Sequence, residues 1–143
     1  HPTGASRVEE DKLRFSCQLL KRAWDNGISV YLPRDVVISE SFGAGAGPAD
    51  TVSVEQIPDD SYVMDIGSET VEDFTRGLQD CKTVIWNGPM GVFEVPPFDA
   101  GTRAVAGAIA SSAAVSIIGI SGTATRPFSA SIAALSFTLG STT

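Results

Sequence analysis

The sequence is short of the residue types on which many enzyme mechanisms depend. It holds one histidine, His1, and two cysteines, Cys17 and Cys81, in 143 residues. A lone histidine at the chain start cannot anchor a catalytic triad, and two cysteines so far apart match no zinc or redox motif. We therefore expect both thiols to be reduced core residues, and we expect no metal site built from histidine or cysteine.

Basic residues and long apolar runs are also scarce. Ten Lys and Arg stand against 17 Asp and Glu, which gives a formal net charge of -7. This balance disfavours a nucleic acid or an anionic membrane surface as the partner. No run of about 18 or more apolar residues appears, so no membrane-spanning helix is expected, and no secretory or transit signal is readable at the N-terminus. We therefore expect neither nucleic-acid nor membrane partners.

Hydrophobic residues make up 43% of the chain, which is typical of one globular domain of this length. Short apolar segments alternate with helical patterns, and this alternation predicts an α/β fold with a mostly parallel sheet. Residues 36–38 and 83–86 are unbroken apolar segments. The β-branched character of residues 36–38 indicates a strand that is buried on both faces, and residues 83–86 are expected to form a strand inside the sheet rather than at its edge.

The N-terminal part predicts a helix from local signals. Ser6 and Glu9 form a capping box, with Ser6 as the N-cap. An apolar stripe follows from Leu13 to Trp24 at three- and four-residue steps. Gly27 suits the left-handed conformation that often ends a helix.

Residues 83–94 offer the groups that a nucleotide site needs. A strand would deliver Asn87 at its carboxyl end, where open α/β sheets bind their ligands. The two glycines that follow permit tight turns and close approach of a ligand. A proline and a valine offer apolar faces to a flat ring, and Glu94 offers a carboxylate to ribose hydroxyls. An ordinary strand-to-loop turn rich in Gly and Pro would look similar, so both interpretations stay open at this point.

The stretch Trp-Asn-Gly-Pro-Met-Gly-Val-Phe-Glu at residues 86–94 resembles the signature of phosphoglycerate kinases almost letter for letter. Other matching pieces follow in the family's order, at residues 8–13, 32–38, 57–67 and 98–102. The resemblance covers residues 6–110 well and residues 111–143 weakly. It implies that residues 1–143 form one partial nucleotide-binding domain with a Rossmann-like three-layer fold.

The resemblance also implies a function. Phosphoglycerate kinases transfer a phosphoryl group reversibly between 1,3-bisphosphoglycerate and ADP, giving 3-phosphoglycerate and ATP in glycolysis or carbon fixation. The expected ligands are ADP or ATP with Mg²⁺, and the expected location is the cytoplasm or a plastid. The implied nucleotide-binding residues are Met64, Asn87, Gly88, Pro89, Gly91, Val92, Glu94 and Thr123. No catalytic residue is assigned.

The resemblance gives each part of this set a role. Asn87 would lie near the transferred phosphate, and Glu94 would hold the ribose hydroxyls. Pro89 and Val92 would pack around the nucleoside. Met64 would line the adenine slot.

Three positions depart from the family pattern. Val63 stands where the family has glycine and would narrow the adenine slot, and Ser68 stands where it has proline. In the glycine-rich segment at 119–123, Gly122 replaces an aspartate associated with magnesium, while Thr123 is retained at a predicted helix start, where it could meet a phosphate.

The family's phosphoglycerate-binding domain, with its basic cluster, has no counterpart in this sequence. The resemblance therefore implies that the chain is inactive alone and needs that domain, or the rest of a longer chain, as its partner. The alternative is a non-catalytic structural or interaction subunit of the same fold. The three departures favour the alternative, and the intact segment 87–94 favours the kinase.

Overall fold

The computed structural model of the chain describes residues 2–42, 46, 47 and 49–119, together with the backbone of residues 135–137. After a 3₁₀ turn at Glu10–Lys12, the helices are α1 (Leu13–Asp25), α2 (Ser68–Leu78) and α3 (Ala100–Ser111). The strands are β1 (Ser29–Tyr31), β2 (Asp35–Ser39), β3 (Asp50–Ser53), β4 (Tyr62–Ile66), β5 (Thr83–Asn87), β6 (Val115–Gly119) and β7 (Leu135–Phe137). This mixture of strands and helices confirms the predicted α/β class.

Strand directions are more mixed than the mostly parallel sheet that the sequence predicts. β2 lies between β3 and β4 and is antiparallel to both, and β1 is antiparallel to β7. Among the described strand pairs, only β5 and β6 are parallel. Connection length explains the difference between the pairs β2–β3 and β5–β6. Residues 40–49 are too few for the crossover that a parallel pair needs, whereas α3 provides that crossover between β5 and β6.

The main core lies where α2 and α3 pack against one face of β5. Phe74 on α2 and Val105 on α3 are fully buried beside Trp86. The indole Nε1 of Trp86 has no hydrogen-bond partner among the described residues. The opposite face of the β5–β6 pair is open, since Ile85 is 72% and Ile117 61% exposed. Within the described residues β5 pairs with β6 alone, so the expected place of β5 inside a sheet is wrong there, because an unbroken apolar run does not reveal which faces and edges are covered.

β2 meets the expectation that it is buried on both faces. Four of its five residues are buried, and the fifth is partly buried. Val36 and Ile38 pack with Ile57 in a second cluster on one side of the three-stranded sheet. Val37 packs on the other side with Met64 and its neighbours. A strand with a partner on each edge and a cluster on each face is the environment that its β-branched run indicates.

α1 forms where it is expected, but it packs differently. No residue of α1 is buried by the described part of the chain, and its apolar stripe is open, with Leu13 54% and Trp24 84% exposed. Cys17 is exposed as well, so the expectation that both cysteines are core thiols is wrong for Cys17. Gly27 adopts the predicted left-handed conformation, with φ of 68°. None of the described helices is both long and apolar enough to cross a membrane.

Ser6 does not cap a helix. Its hydroxyl accepts a hydrogen bond from the Val63 N–H at 2.9 Å, and α1 begins only at Leu13, where no side-chain cap is found. The expected capping box is therefore wrong. A hydroxyl that can pair with a strand 57 residues away has a tertiary partner that local sequence rules do not anticipate.

The start of α2 is held by a carboxylate from a neighbouring strand. Asp35 on β2 accepts hydrogen bonds from the N–H groups of Glu69 at 3.0 Å and Thr70 at 2.7 Å. The Thr70 hydroxyl also donates to Asp35 at 2.6 Å. The backbone of Gly67 lies so close that an added Cβ would come within 2.2 Å of that carboxylate. A negative group at this position satisfies free helix N–H groups and complements the helix dipole.

Candidate functional site

The segment that follows β5 begins at a point where two strand ends meet. Asn87 is exposed at the carboxyl end of β5, next to the end of β6. Gly88 has a φ of 86°, a conformation that side chains disfavour. The Gly88 N–H donates to the carbonyl of Gly119 at 2.9 Å. The glycine therefore turns the chain out of the sheet while its amide stays paired with the neighbouring strand.

Residues 88–92, which we call the loop, are then fixed to two other elements. The Met90 N–H donates to the Thr102 hydroxyl oxygen on α3 at 3.0 Å. The Val92 N–H donates to the Met64 carbonyl on β4 at 2.8 Å. The side chains of Met90 and Val92 are buried, with 2% and 7% of their surface exposed. The loop is thus an anchored part of the fold rather than a freely moving turn.

An irregularity in β4 provides one of these anchors. The pairing of β2 with β4 shifts between Val37, which is opposite Asp65, and Ile38, which is opposite Val63. Met64 is the extra residue on β4 at this bulge, and its carbonyl is the one that accepts from the loop. Bulges commonly redirect backbone groups next to functional sites.

The structure brings most of the predicted site residues together. Asn87 and Glu94 are exposed on either side of the loop, and Pro89 is partly buried within it. Met64 and Val92 belong to one buried cluster with Phe98. The Met64 side chain is fully enclosed there, so in this arrangement it supports the loop and offers no surface to a ligand. Its role in lining an adenine slot stays a prediction.

The departures from the family pattern fall at different places. Val63 packs on the opposite side of β4 from Met64, with the cluster around Val36 and Ile38. Ser68 is exposed at the first position of α2. Gly122 and Thr123 lie outside the described residues.

Asp65 is the residue at this site to which the sequence analysis gives no role. It is 2% exposed, and its carboxylate accepts from the N–H groups of Ile66 and Gly101, each at 2.8 Å. Gly101 lies in the first turn of α3, so Asp65 holds the start of α3 as Asp35 holds the start of α2. A charged residue inside an apolar strand is the signal that could have singled it out.

Burial raises the pKa of Asp65 from its ordinary 3.8 to about 6; the hydrogen bonds from Gly101 and Ile66 oppose the rise, and the charge of Asp99 adds to it. Because the pKa is raised on folding, the stability that comes from burying the neutral acid is fully present below pH 3.8. It is lost as the pH rises through about 6, where the buried group ionises. At neutral pH the fold therefore carries a buried charge that is held by two backbone N–H groups.

Comparison with known proteins assigns the family. A family model described as phosphoglycerate kinase matches residues 1–142. The chain belongs to the phosphoglycerate kinase family. It is 47% identical over 116 residues to the phosphoglycerate kinase of Herpetosiphon aurantiacus, a match that covers 81% of this chain and 29% of that protein.

Two further comparisons agree with the family. The phosphoglycerate kinase of Synechococcus sp. (strain JA-3-3Ab) is 48% identical over 121 residues, covering 82% of this chain and 29% of that protein. The structure of phosphoglycerate kinase from Coxiella burnetii superposes with a TM-score of 0.79 at 32% identity, covering 83% of this chain and 30% of that one. The chain therefore has a phosphoglycerate kinase fold and spans under a third of the length of these relatives.

The described residues of this phosphoglycerate kinase segment do not form a metal cage. Within them, no group of three or more His, Cys, Asp or Glu side chains is placed to hold a metal ion. Of the acidic groups near the loop, Asp99 is engaged with Arg103, and Asp65 is committed to the backbone of Ile66 and Gly101.

Proposed function

We propose that this chain supplies part of the ADP and ATP site of a phosphoglycerate kinase, which transfers a phosphoryl group between 1,3-bisphosphoglycerate and ADP. Family membership supports the class of enzyme. The observation that carries the assignment to the nucleotide side is the anchored loop, because it lies at the carboxyl end of β5 with Asn87 and Glu94 exposed on either side of it. Ligands of open α/β sheets bind at such strand ends.

The proposal gives the residues around the loop distinct tasks. The Asn87 amide, at the end of β5, donates to the phosphate that is transferred. The Glu94 carboxylate accepts hydrogen bonds from the ribose hydroxyls. Pro89, together with the backbone of Gly91 and Val92, packs against the nucleoside, and Thr123 meets a phosphate beyond the described residues. Phosphoryl transfer depends mainly on positioning and on charge stabilisation, so an anchored loop suits this work.

Magnesium enters the proposal with the nucleotide rather than through this segment. The described residues do not provide a carboxylate cluster for it. Mg²⁺ commonly binds substrate phosphates with one or two carboxylates and several waters. We therefore assign no described side chain to the metal and derive no step from it.

The partner that completes the enzyme is the phosphoglycerate-binding domain or the remainder of a longer polypeptide, in the cytoplasm or a plastid. Two open apolar surfaces support such a partner: the stripe of α1 around Trp24, and the face of the β5–β6 pair that contains Ile85 and Ile117. Large apolar side chains that form a contiguous exposed patch usually mark a surface that another protein or domain covers. A partner that covers these surfaces is equally compatible with the alternative, a non-catalytic subunit. Binding of ADP therefore decides between the kinase and the non-catalytic subunit.

We expect the substitution Glu94→Gln to weaken ADP binding by about 1–3 kcal/mol, because it removes a charge-assisted hydrogen bond to the ribose. Calorimetry with ADP measures the effect, and 2′-deoxy-ADP identifies its cause. If Glu94 holds the ribose, the parent chain should prefer ADP over the deoxy analogue, and the variant should lose most of this preference.

Glu55→Gln is the matched control, since Glu55 is also exposed but follows β3, away from the loop. This change removes the same charge and should leave both affinities unaltered. Equal weakening by the two substitutions would point to general electrostatics, and unaltered ADP binding by Glu94→Gln would remove Glu94 from the site.

A further inference from the structure

Two buried polar side chains lie next to the loop, and neither is exposed enough to touch a ligand. Asp65 on β4 is 2% exposed and Thr102 on α3 is 7% exposed. The Thr102 hydroxyl oxygen accepts from the Met90 N–H of the loop at 3.0 Å. The preceding residue on α3, Gly101, donates its N–H to Asp65 at 2.8 Å. Consecutive residues of α3 therefore connect to the loop on one side and to β4 on the other.

Two glycines enclose the Asp65 carboxylate. A Cβ added at Gly91 of the loop would lie 2.5 Å from its Oδ1 atom, and one added at Gly101 would lie 2.4 Å from the same atom. Both distances are far below a van der Waals contact, so only backbone fits at either place. The carboxylate therefore acts as a spacer that sets the distance between the loop and the start of α3.

We infer that Asp65 and Thr102 are positioning residues for nucleotide binding, which hold the loop between β4 and α3 so that Asn87 and Glu94 keep the separation that the nucleotide requires. The inference rests on the nucleotide function proposed above for the loop. Neither residue contacts the nucleotide, and each acts through backbone N–H groups. Burying a carboxylate costs free energy of folding. We therefore expect the buried carboxylate to contribute to the position of the loop and not only to packing.

None of the described charged groups around Asp65 forms an ion pair with it, so its carboxylate is left to accept hydrogen bonds from the backbone N–H groups. The titratable and charged groups on the elements around it are Asp35, Tyr62, Glu94, Asp99 and Arg103. Asp35 is committed to the start of α2, Tyr62 packs edge-on against Phe42, and Glu94 is exposed. Arg103 is paired with Asp99. Of these groups, Asp99 is the one whose charge acts on Asp65.

The coupling can be measured without any nucleotide. Backbone amide shifts of the ¹⁵N-labelled chain would be followed by NMR from about pH 5 to about pH 8, a range that includes the ionisation of Asp65. We expect the Ile66 and Gly101 amides to titrate with a midpoint near 6, because they bond the carboxylate directly. We expect Met90, Gly91 and Val92 to titrate with the same midpoint.

Asp65→Asn should abolish this common titration, whereas the control Asp73→Asn should retain it. Asp73 lies on α2 and is paired with Arg34 and Arg76. Titration of Ile66 and Gly101 without the loop amides would overturn the inference, because Asp65 would then serve α3 alone.

A second pair of variants tests Thr102 through binding. Thr102→Val has nearly the same shape but lacks the acceptor for the Met90 N–H, whereas Thr102→Ser keeps the hydroxyl. We expect the valine variant to bind ADP about tenfold more weakly at neutral pH, and the serine variant to stay within about twofold of the parent. Equal weakening in both variants, in step with their melting temperatures, would show a packing role only and would overturn the assignment of Thr102.

The pH dependence of ADP affinity tests the ionisation of Asp65 and nucleotide binding in one experiment. The parent and Asp73→Asn should lose affinity as the pH falls below about 6, by more than Asp65→Asn does. The titration of ADP itself is common to all variants and cancels in their ratios. If the parent binds no ADP at any pH, the proposed function fails and the nucleotide part of this inference fails with it. The amide titration would still decide whether Asp65 holds the loop.

Discussion

The 143-residue chain alone is expected not to transfer phosphate from 1,3-bisphosphoglycerate to ADP at any useful rate. The proposal gives it only part of the nucleotide site, and it spans 29% of the length of a kinase such as that of Herpetosiphon aurantiacus. Without groups that hold the acyl phosphate in line with ADP, the reaction loses its positioning, which can contribute about 7–11 kcal/mol of barrier lowering. A coupled assay with both substrates and magnesium measures the result.

An intact phosphoglycerate kinase assayed in parallel is the positive control. ADP binding by the isolated chain should persist in calorimetry even though turnover is absent, so that binding and catalysis separate. Turnover within about tenfold of the intact enzyme would contradict the prediction. A chain that neither turns over nor binds ADP would instead favour the non-catalytic alternative.

Phe74→Ala should lower the free energy of unfolding by about 3–5 kcal/mol, the usual cost of removing a buried aromatic ring and leaving a cavity. Phe74 is fully buried between α2 and β5, in the cluster that contains Trp86. The loss is a large fraction of the total stability of a small domain. Urea denaturation followed by circular dichroism measures it.

Phe15→Ala removes the same ring at a position on α1 that is 63% exposed. It should change the stability of the isolated chain by no more than about 0.5 kcal/mol. Similar losses at both positions would mean that α1 is covered in solution. A loss below about 1 kcal/mol at Phe74, which is smaller than a core truncation should cause, would contradict the described core.

The elements that the sequence predicts well are those whose signals lie within the element itself. The apolar stripe expected from Leu13 to Trp24 lies on α1, Leu13–Asp25, and the strand expected over 83–86 is β5, Thr83–Asn87. The nucleotide-binding roles of Asn87 and Glu94 came from a family signature rather than from periodicity. Their exposure on either side of the loop agrees with those roles without testing them.

What the sequence could not reveal depends on distant partners. Asp65 bonds Gly101, 36 residues away, and Asp35 bonds Thr70, 35 residues away. Rules for helix caps examine only neighbouring residues, so neither carboxylate could be assigned to the start of a helix. The exposure of Cys17 and Ile85 could not be predicted for a similar reason. An apolar pattern shows which side of an element is hydrophobic but not whether another element covers it.

The two tryptophans lie in opposite surroundings, and this contrast gives the protein a built-in optical probe. Trp24 is 84% exposed and Trp86 is 2% exposed. Fluorescence from Trp24 should be red-shifted and readily quenched by iodide, whereas that of Trp86 should be blue-shifted and protected. Trp86 immediately precedes Asn87 on β5. In a Trp24→Phe variant, the remaining emission would therefore report directly on the strand that carries the loop.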